Sequence, residues 1–429
     1  MSEFRFLHAA DIHLDSPLKG LERYEGAPVE KIRDAVRHAL SNLVQLAIDQ
    51  QVAFVLIAGD LYDGDWKDHN TGLHFLKQLS RLHDAGISVY VISGNHDAES
   101  RMSQSLRWPQ NPDGTPVLLD HKKPQTVRLP ERDVAIHGRG FSNAKETANL
   151  VLEYPAAVSG CFNIGMLHTA LNGADGHERY APCTTDDLHA LKYQYWALGH
   201  VHVREIRYLP NQTPVVYPGN LQGRHIRETG AKGCDLVTVD SLGNVTNEFQ
   251  PLDVFRWAEC IVDVSSVESL GDLPDLVTCQ LQTMADEAEG RPLGVRVRLQ
   301  GSTDIHDDLA GDPEHWTQEI RGCAFAVSGT EVWVEKVRFE THPLRDPSID
   351  DFESGPMAEL LSCMEEIQDD EGLLKELSGE LEALSRKLPA DLSRGEHAVI
   401  PTDADALKAV LKEVQPILTH RLQQKGGTT

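Results

Sequence analysis

The sequence lacks the features of membrane, exported and disulfide-bonded proteins. Its 429 residues include seven cysteines, an odd number, and no two of them form a Cys-x-x-Cys pair. Disulfides and thiolate metal sites are therefore not expected. No apolar run approaches the roughly 18 residues that a membrane-spanning helix needs, and residues 1–7 lack the basic start and apolar stretch of a signal peptide. We expect a soluble, cytoplasmic protein that makes no membrane contact.

Positive charge is also scarce. Lysine and arginine number 40 against 66 aspartates and glutamates, for a formal net charge of −26. Proteins that bind nucleic acid unaided are usually basic, so the composition argues against a general nucleic-acid-binding protein. Part of the acidity lies near the carboxyl terminus, in residues 365–371. Such a run is typical of a solvated helix face; the alternative is contact with a basic partner.

Three regions of the chain differ in pattern, and the length agrees with two or three domains. Residues 1–252 alternate apolar strands with amphipathic helices, which predicts a catalytic domain of the α/β or layered α+β class. Residues 253–343 mix strands with acidic helices and predict a small α+β domain. Residues 344–429 predict a linker and a helical tail, with helix-like stretches at 357–388 and 403–423.

Five apolar strands of the first region each end in a short polar motif. Sites form at the carboxyl ends of strands in open α/β sheets, so motifs placed in this way can converge on one rim. Flanking glycines permit sharp turns and close backbone approach. The motifs are Asp11-Ile-His13, Gly59-Asp60-Leu-Tyr-Asp63, Gly94-Asn95-His96-Asp97, His168 and Gly199-His200-Val-His202.

These motifs contain the ligand chemistry of a two-metal site. Two hard cations about 3.5–4 Å apart share a bridging carboxylate and take imidazole, carboxylate and amide groups as terminal ligands. The expected bridging ligand is Asp60. The coordination of one ion is completed by Asp11, His13 and His202, and that of the other ion by Asn95, His168 and His200. Without thiolate, the set favours manganese, iron or zinc. Each motif alone is usually a turn, a cap or a core histidine, so the prediction depends on all five occurring in order.

Taken together, the motifs resemble those of the calcineurin-like metallophosphoesterase superfamily. The segments His8-Ala-Ala-Asp-Ile-His-Leu-Asp-Ser-Pro, Ala58-Gly-Asp-Leu-Tyr-Asp and Tyr217-Pro-Gly-Asn-Leu-Gln-Gly resemble SbcD/YhaO-type DNA repair exonucleases, over roughly residues 4–250. The resemblance implies a layered αββα fold of the α+β class, in which helices flank a β-sandwich. It also implies two divalent ions, most often Mn²⁺, with Fe, Zn or Mg as alternatives.

The resemblance extends to partners. In the family, the capping domain helps to hold DNA, and the helical tail docks on an SMC-like ATPase, here one of the SbcC or YhaN type. A tail hairpin folded on its own domain is the alternative. A homodimer through the catalytic domain is also implied. Because the chain is acidic, we expect weak DNA affinity by itself, with the partner supplying most of the binding.

The resemblance further assigns a catalytic histidine, which maps onto His96 and assists departure of the alkoxide. Some nuclease relatives carry histidine three residues after the bridging aspartate. This chain instead has Asp63, as many phosphatases of the superfamily do. We infer an Asp63–His96 pair in which the carboxylate fixes the imidazole and favours its protonated form. The alternative is that Asp63 only caps the following turn.

The resulting prediction is a two-metal DNA nuclease that acts at DNA ends. We expect an exonuclease, and endonuclease activity stays an open alternative. Expected DNA contacts are Arg224, His225 and Arg227, although scattered surface arginines would give the same pattern. One alternative is a phosphatase or cyclic-nucleotide phosphodiesterase of the same superfamily. An alternative of another class is a catalytically idle structural subunit of an ATPase complex.

Overall fold

The computed structural model describes residues 2–16, 26–64, 70–100, 107–173, 180–344 and 355–385, with a few isolated positions beyond them. The chain divides into two compact units. One comprises Met1–Ala258 and Ala288–Val295, and the other Glu259–Glu287 and Arg296–Thr429. Within the described ranges, no helix is both long and apolar enough to cross a membrane. The three-domain division at residues 252 and 343 stays a prediction.

The first sheet has five strands in the order β11-β10-β1-β2-β3. These are β1 (Phe4–Ala9), β2 (Phe54–Ala58), β3 (Ser88–Ile92), β10 (Gly233–Val239) and β11 (Val245–Pro251). Strands β1, β2 and β3 run parallel, while β10 is antiparallel to both of its neighbours. The carboxyl ends of β1, β2 and β3 therefore lie along one edge, which is where three of the polar motifs begin.

Helices α1 (Val29–Asp49) and α2 (Asn70–Asp84) join these parallel strands and cover the outer face of the first sheet. Pro28 precedes α1, where its fixed φ suits a helix start. The buried residues of α1 recur at helical spacing, as expected for a helix that packs one stripe on a sheet: Ile32, Ala35, Val36, Ala39, Leu40, Leu43, Val44 and Ala47.

The second sheet has six strands in the order β4-β5-β6-β7-β9-β8. They are β4 (Gln125–Leu129), β5 (Val134–Gly138), β6 (Phe162–His168), β7 (Tyr195–Gly199), β8 (Glu205–Tyr208) and β9 (Pro214–Tyr217). Strands β5, β6, β7 and β9 are parallel, and the edge strands β4 and β8 are antiparallel to their neighbours. Two further motifs thus begin at the carboxyl ends of β6 and β7.

The two sheets pack face to face over an aromatic and aliphatic core. Phe6 of the first sheet meets Tyr195 of the second edge to face, with ring centroids 5.2 Å apart. The short helices α3 (Asn95–Glu99) and α4 (Thr185–Ala190) follow β3 and precede β7. The architecture is the expected layered β-sandwich flanked by helices.

The remaining strands form a three-stranded sheet in the order β12-β13-β14. Its elements and the helices between them are β12 (Arg256–Asp263), α5 (Leu273–Glu287), β13 (Leu293–Ser302), α6 (His306–Gly311), α7 (Pro313–Cys323) and β14 (Val332–His342). The predicted α+β composition of this region is confirmed. Arg296 pairs with Glu335 across β13 and β14 at 2.8 Å.

The helical tail differs from the prediction of one helical stretch over residues 357–388. It forms two helices, α8 (Pro356–Asp369) and α9 (Glu371–Ser385). Asp370 between them is extended, and its side chain accepts hydrogen bonds from the backbone nitrogens of Gly372 and Leu373. An aspartate that caps the next helix in this way ends the preceding one. Most of the predicted helix at 403–423 lies outside the described residues.

Candidate metal centre

The backbone turns sharply at four predicted site residues. Asp11, His13, Asp60 and His200 have φ values of 50°, 49°, 49° and 106°, a region that costs residues other than glycine on the order of 1–3 kcal/mol each. The first two loops run side by side, since Asp11 N and His13 N donate to the carbonyls of Gly59 and Asp60, both at 3.0 Å. These turns direct the side chains to the rim where the strands end.

Ligating atoms from separate motifs converge in three groups, each with all atoms within 4.8 Å of one another. The groups are Asp11 with His13 and His202, His13 with Asp60 and His96, and Asp11 with Asp60 and His168. The first contains the three side chains that the sequence assigns to one ion. Its two imidazoles face each other, with 3.2 Å between their Nε2 atoms.

Asp60 lies between the two halves of the site. Its Oδ2 is 3.9 Å from His13 Nε2 and 3.4 Å from His168 Nε2. Asn95 Oδ1 lies 3.1 Å from the same nitrogen of His168. The His200 ring lies beside that of His168, with centroids 5.3 Å apart, and its backbone nitrogen donates to the Asp11 carboxylate. His200 belongs to none of the three groups.

Hydrogen bonds orient two of the imidazoles. His168 Nδ1 donates to the carbonyl of Ala58 at 3.0 Å, and His202 Nδ1 donates to Glu228 Oε1 at 2.7 Å. Each bond holds Nδ1 and directs Nε2 into the cluster, as in metal-ligating histidines generally. Glu228 was not predicted; it stands in a basic segment, and nothing local marks it as a partner of His202.

The electrostatics fit divalent cations. Burial, with a smaller contribution from Arg224, lowers the pKa of His13 to about 3, which keeps it neutral as a ligand must be. Burial also opposes protonation of His168, but the carboxylates of Asp60 and Asp11 outweigh it and raise its pKa to about 9. The cluster therefore favours positive charge at its centre. Buried carboxylate, amide and imidazole donors without sulfur suit hard or borderline metal ions.

Asp63 and His96 form a hydrogen-bonded pair beside the ligands. His96 Nδ1 lies 2.8 Å from Asp63 Oδ1, and the His96 side chain is 38% exposed. Burial lowers the pKa of His96, but the bond to Asp63 and the charges of Asp60 and Asp63 produce a net rise. Ser16 Oγ also donates to Asp63. The protonated imidazole is thus held at an accessible edge of the site.

Asp97 connects the second and third motifs. Its buried carboxylate accepts hydrogen bonds from the backbone nitrogens of Leu61, Tyr62 and Gly94 at 3.2, 2.9 and 3.0 Å. Gly94 must lack a side chain, because a Cβ there would lie 2.2 Å from Asp60 Oδ1. These contacts set the distance between the Asp60 and Asn95 loops.

The three expected DNA contacts lie in different surroundings. Arg224 is 12% exposed and lies inside the site, 3.0 Å from Glu228 and 3.6 Å from Asp63. The His225 side chain is 53% exposed, and Arg227 is also exposed. DNA contact by these residues stays a prediction.

Comparisons with known proteins match both parts of the chain. The calcineurin-like phosphoesterase family matches residues 4–204, and the middle domain of metallophosphoesterase YhaO matches residues 257–342. The uncharacterized metallophosphoesterase YhaO of Bacillus subtilis is 35% identical over 303 residues, which cover 70% of this chain and 73% of that protein.

Two archaeal proteins are more distant relatives. The DNA double-strand break repair protein Mre11 of Sulfurisphaera tokodaii is 28% identical over 210 residues, 48% of this chain and 51% of that protein. The protein of the same name from Methanopyrus kandleri is 26% identical over 288 residues, 61% of this chain and 59% of that protein. The chain therefore matches between half and three fifths of each Mre11 protein.

Proposed function

Because this chain belongs to the YhaO family of calcineurin-like metallophosphoesterases, we propose that it is a two-metal DNA nuclease that hydrolyses phosphodiester bonds at DNA ends. Membership of the superfamily makes it a hydrolase of phosphoester bonds and implies divalent metal ions. DNA as the substrate, and Mn²⁺ as the first choice of metal, are the proposed elements. The similarity to two DNA double-strand break repair proteins supports the choice of substrate.

The observation that carries the proposal is the Asp63–His96 pair beside the metal ligands. Cleavage of DNA releases an alkoxide, which is a poor leaving group unless it receives a proton. His96 is partly exposed, and Asp63 holds its Nδ1 at 2.8 Å. Its Nε2 is then the ring nitrogen that can donate a proton. A proton donor fixed at the edge of a phosphate site suits substrates with unactivated leaving groups.

The proposal keeps the assignment of ligands to the two cations that the sequence predicts. Asp11, His13 and His202 would hold one ion, Asn95, His168 and His200 the other, with Asp60 shared between them. When bound, two divalent cations would supply a nucleophile at neutral pH and neutralise the charge of the phosphate. The chain itself orients the ligands through Ala58 and Glu228 and holds the leaving-group proton on His96.

Because the chain is acidic, the proposal includes a partner protein that contributes to DNA binding. With a net charge of −26, the chain is expected to bind DNA weakly and in a salt-dependent way. An SMC-like ATPase that docks on helices α8 and α9 would supply most of the DNA affinity, and a homodimer would place two metal centres at one DNA end. Burial of Leu361, Met364 and Leu374 leaves open the alternative of a hairpin folded on its own domain.

The experiment that tests the proposal compares substrates with Mn²⁺ present. Linear, single-stranded and closed-circular DNA are incubated with the chain, with and without an SMC-like ATPase from the same source, and bis(p-nitrophenyl) phosphate reports turnover at the metal site. We expect digestion of linear DNA that depends on Mn²⁺ and is stimulated by the ATPase. Turnover of the small diester without any DNA cleavage would indicate a small-molecule phosphodiesterase. Two bound metals with no turnover of either substrate would indicate a structural subunit.

A further inference from the structure

We propose that Arg224 and Glu228 are positioning residues that couple the metal ligand His202 to the proton donor His96. This inference deepens the proposed function, because it assigns the role of His96 in that reaction to a supporting network. The network needs neither DNA nor a partner to operate, so it can be tested on a small substrate. Both residues belong to the segment that follows β9 and the Tyr-Pro-Gly-Asn turn.

A continuous path of polar contacts joins the two histidines. His202 Nδ1 donates to Glu228 Oε1 at 2.7 Å, and Arg224 Nη2 donates to the same oxygen at 3.0 Å. Arg224 Nη1 lies 3.6 Å from Asp63 Oδ2, and the other oxygen of Asp63 lies 2.8 Å from His96 Nδ1. Charges alternate along the path, so each group holds the next by attraction.

Glu228 is the anchor of this path. It is 5% exposed, and a buried carboxylate is stable only when its oxygens are fully used. Besides His202, its oxygens accept from Asn220 Nδ2 at 3.0 Å and from Arg224 through the backbone nitrogen at 2.8 Å and through Nη2. A carboxylate held from three directions has no freedom to turn, so it fixes the ring of His202 and the guanidinium of Arg224 together.

The guanidinium of Arg224 is committed to protein groups. Its Nε and Nη2 face the two oxygens of Glu228 at 3.4 and 3.0 Å, in a bidentate arrangement, and its Nη1 faces Asp63 and Ser16 Oγ, the latter at 3.5 Å. Only 12% of the side chain is exposed. A planar guanidinium has a fixed fork of donors, and here both edges face side chains of the site. These contacts assign Arg224 the role of positioning its neighbours.

Asp63 also lies near a second histidine, His13, and Arg224 helps to keep the Asp63 carboxylate hydrogen-bonded to His96. Its Oδ1 lies 2.8 Å from His96 Nδ1 and 3.8 Å from His13 Nδ1. That nitrogen of His13 is buried and has no hydrogen-bond partner among the described residues. Arg224 and the Ser16 hydroxyl both hold the other oxygen of Asp63. Without Arg224, only Ser16 opposes rotation of the carboxylate from His96 towards His13. Arg224 thus keeps the carboxylate on the proton donor.

Two substrates with different leaving groups distinguish an effect on the proton donor His96 from an effect on the metal ions. A dinucleoside phosphate releases an alkoxide that needs a proton, whereas bis(p-nitrophenyl) phosphate releases a stabilised phenolate that does not. For Arg224→Gln, we expect kcat on the dinucleoside phosphate to fall roughly 10- to 100-fold, as for other losses of support around a metal site, with KM and metal content unchanged. On bis(p-nitrophenyl) phosphate, kcat should fall less than about 3-fold.

Two further variants complete the design. Glu228→Gln should lower Mn²⁺ affinity roughly 10- to 100-fold, measured by calorimetry, and high Mn²⁺ should restore its turnover of the small diester. Arg224→Lys retains the charge but cannot bridge both carboxylates, so its kcat on the dinucleoside phosphate should lie between those of wild type and Arg224→Gln. It also provides the test if the glutamine variant does not fold. Arg207→Gln, which breaks a half-exposed ion pair with Glu205 on β8, is the matched control.

Three results would overturn the inference. A rise in KM at unchanged kcat would make Arg224 a substrate contact. An equal fall of kcat on both diesters would place its effect on the metals and not on His96. A glutamine variant with wild-type kcat on the dinucleoside phosphate would remove its role altogether. If wild type turns over both small diesters but not linear DNA, the proposed function fails while the inference about Arg224 stands on its own data.

Discussion

Gly94→Ala should lower the metal affinity of the centre, although it adds only a single methyl group. Gly94 lies between β3 and α3 with φ −93° and ψ −164°, an extended conformation that alanine adopts without strain. The expected effect therefore comes from the side chain alone. A Cβ at this position would lie 2.2 Å from Oδ1 and 2.7 Å from the backbone nitrogen of Asp60, so it collides with the carboxylate between the two halves of the site.

The size of the effect follows from these distances. Real Cβ atoms essentially never approach another heavy atom within 3.0 Å, so Oδ1 must move by about 0.8 Å or more. Rotation of the carboxylate does not suffice, because the Asp60 nitrogen is also too close. The move weakens the 3.0 Å bond from His96 N to Asp60 Oδ1. Overpacking a tight site costs about 1–3 kcal/mol, and about 1.4 kcal/mol is a factor of ten. We expect Mn²⁺ affinity to fall roughly 10- to 100-fold.

Calorimetric titration with Mn²⁺, together with metal analysis after dialysis, measures this loss. Gly322→Ala is the matched control: Gly322 lies within α7, and a Cβ there meets no described atom within 4 Å. That variant should bind Mn²⁺ as wild type does and gain up to about 1 kcal/mol of stability, since alanine favours helices over glycine. A Gly94→Ala protein that binds two Mn²⁺ ions with wild-type affinity would refute the collision argument.

Three further predictions concern the site and its support. His96→Ala should lower kcat on linear DNA roughly 10²- to 10⁴-fold, the usual contribution of a general acid, with metal content unchanged; undiminished cleavage would exclude the role. Asp60→Asn should reduce bound metal below two ions per chain, because the Asp60 carboxylate lies near both His13 and His168, which are predicted to bind different ions; elemental analysis checks this, and two retained ions would contradict a shared ligand. Burial lowers the pKa of His8 from 6.5 to about 3. Between these pH values His8 binds a proton in the unfolded chain but not in the folded protein, so the free energy of unfolding falls by about 1.4 kcal/mol per pH unit as the pH drops. His8→Gln should flatten that dependence in urea unfolding between about pH 6 and pH 4; a slope equal to that of wild type would show that His8 is not the residue responsible.

The strands that carry the motifs were predictable because their signal is local. The mainly apolar segments at β1, β2, β3 and β6 are buried along their whole length or nearly so, and such segments bounded by glycine and polar residues are typical of sandwich cores. The two edge strands of the second sheet give a weaker pattern. Strand β4 has one buried residue among five and β8 has none among four, so neither was predicted.

The supporting residues of the site were less accessible to sequence reasoning. Glu228 follows two arginines and a histidine within four residues, a context that suggests a charged surface segment. Its partner His202 is 26 residues away. The same basic segment led to the prediction that Arg224 contacts DNA, which stays a prediction; its position 3.0 Å from Glu228 and 3.6 Å from Asp63 could not be read from the sequence. The break between α8 and α9 at Asp370 was missed because apolar residues continue on both sides of it.

The sequence by itself determined the chemistry of the centre and its place at the ends of particular strands. Residue type and strand boundaries are properties of short segments, and an ordered set of carboxylate, amide and imidazole groups after buried strands supplies the ligands that a two-metal site requires. Only the tertiary structure decided which side chains form hydrogen bonds with each other. Asp63 is hydrogen-bonded to His96 and not to His13, and Glu228 accepts hydrogen bonds from both His202 and Arg224. Those pairings depend on differences of about 1 Å between groups brought together by the packing of two sheets. Hydrogen bonds distinguish such distances, but no local pattern in the chain encodes them.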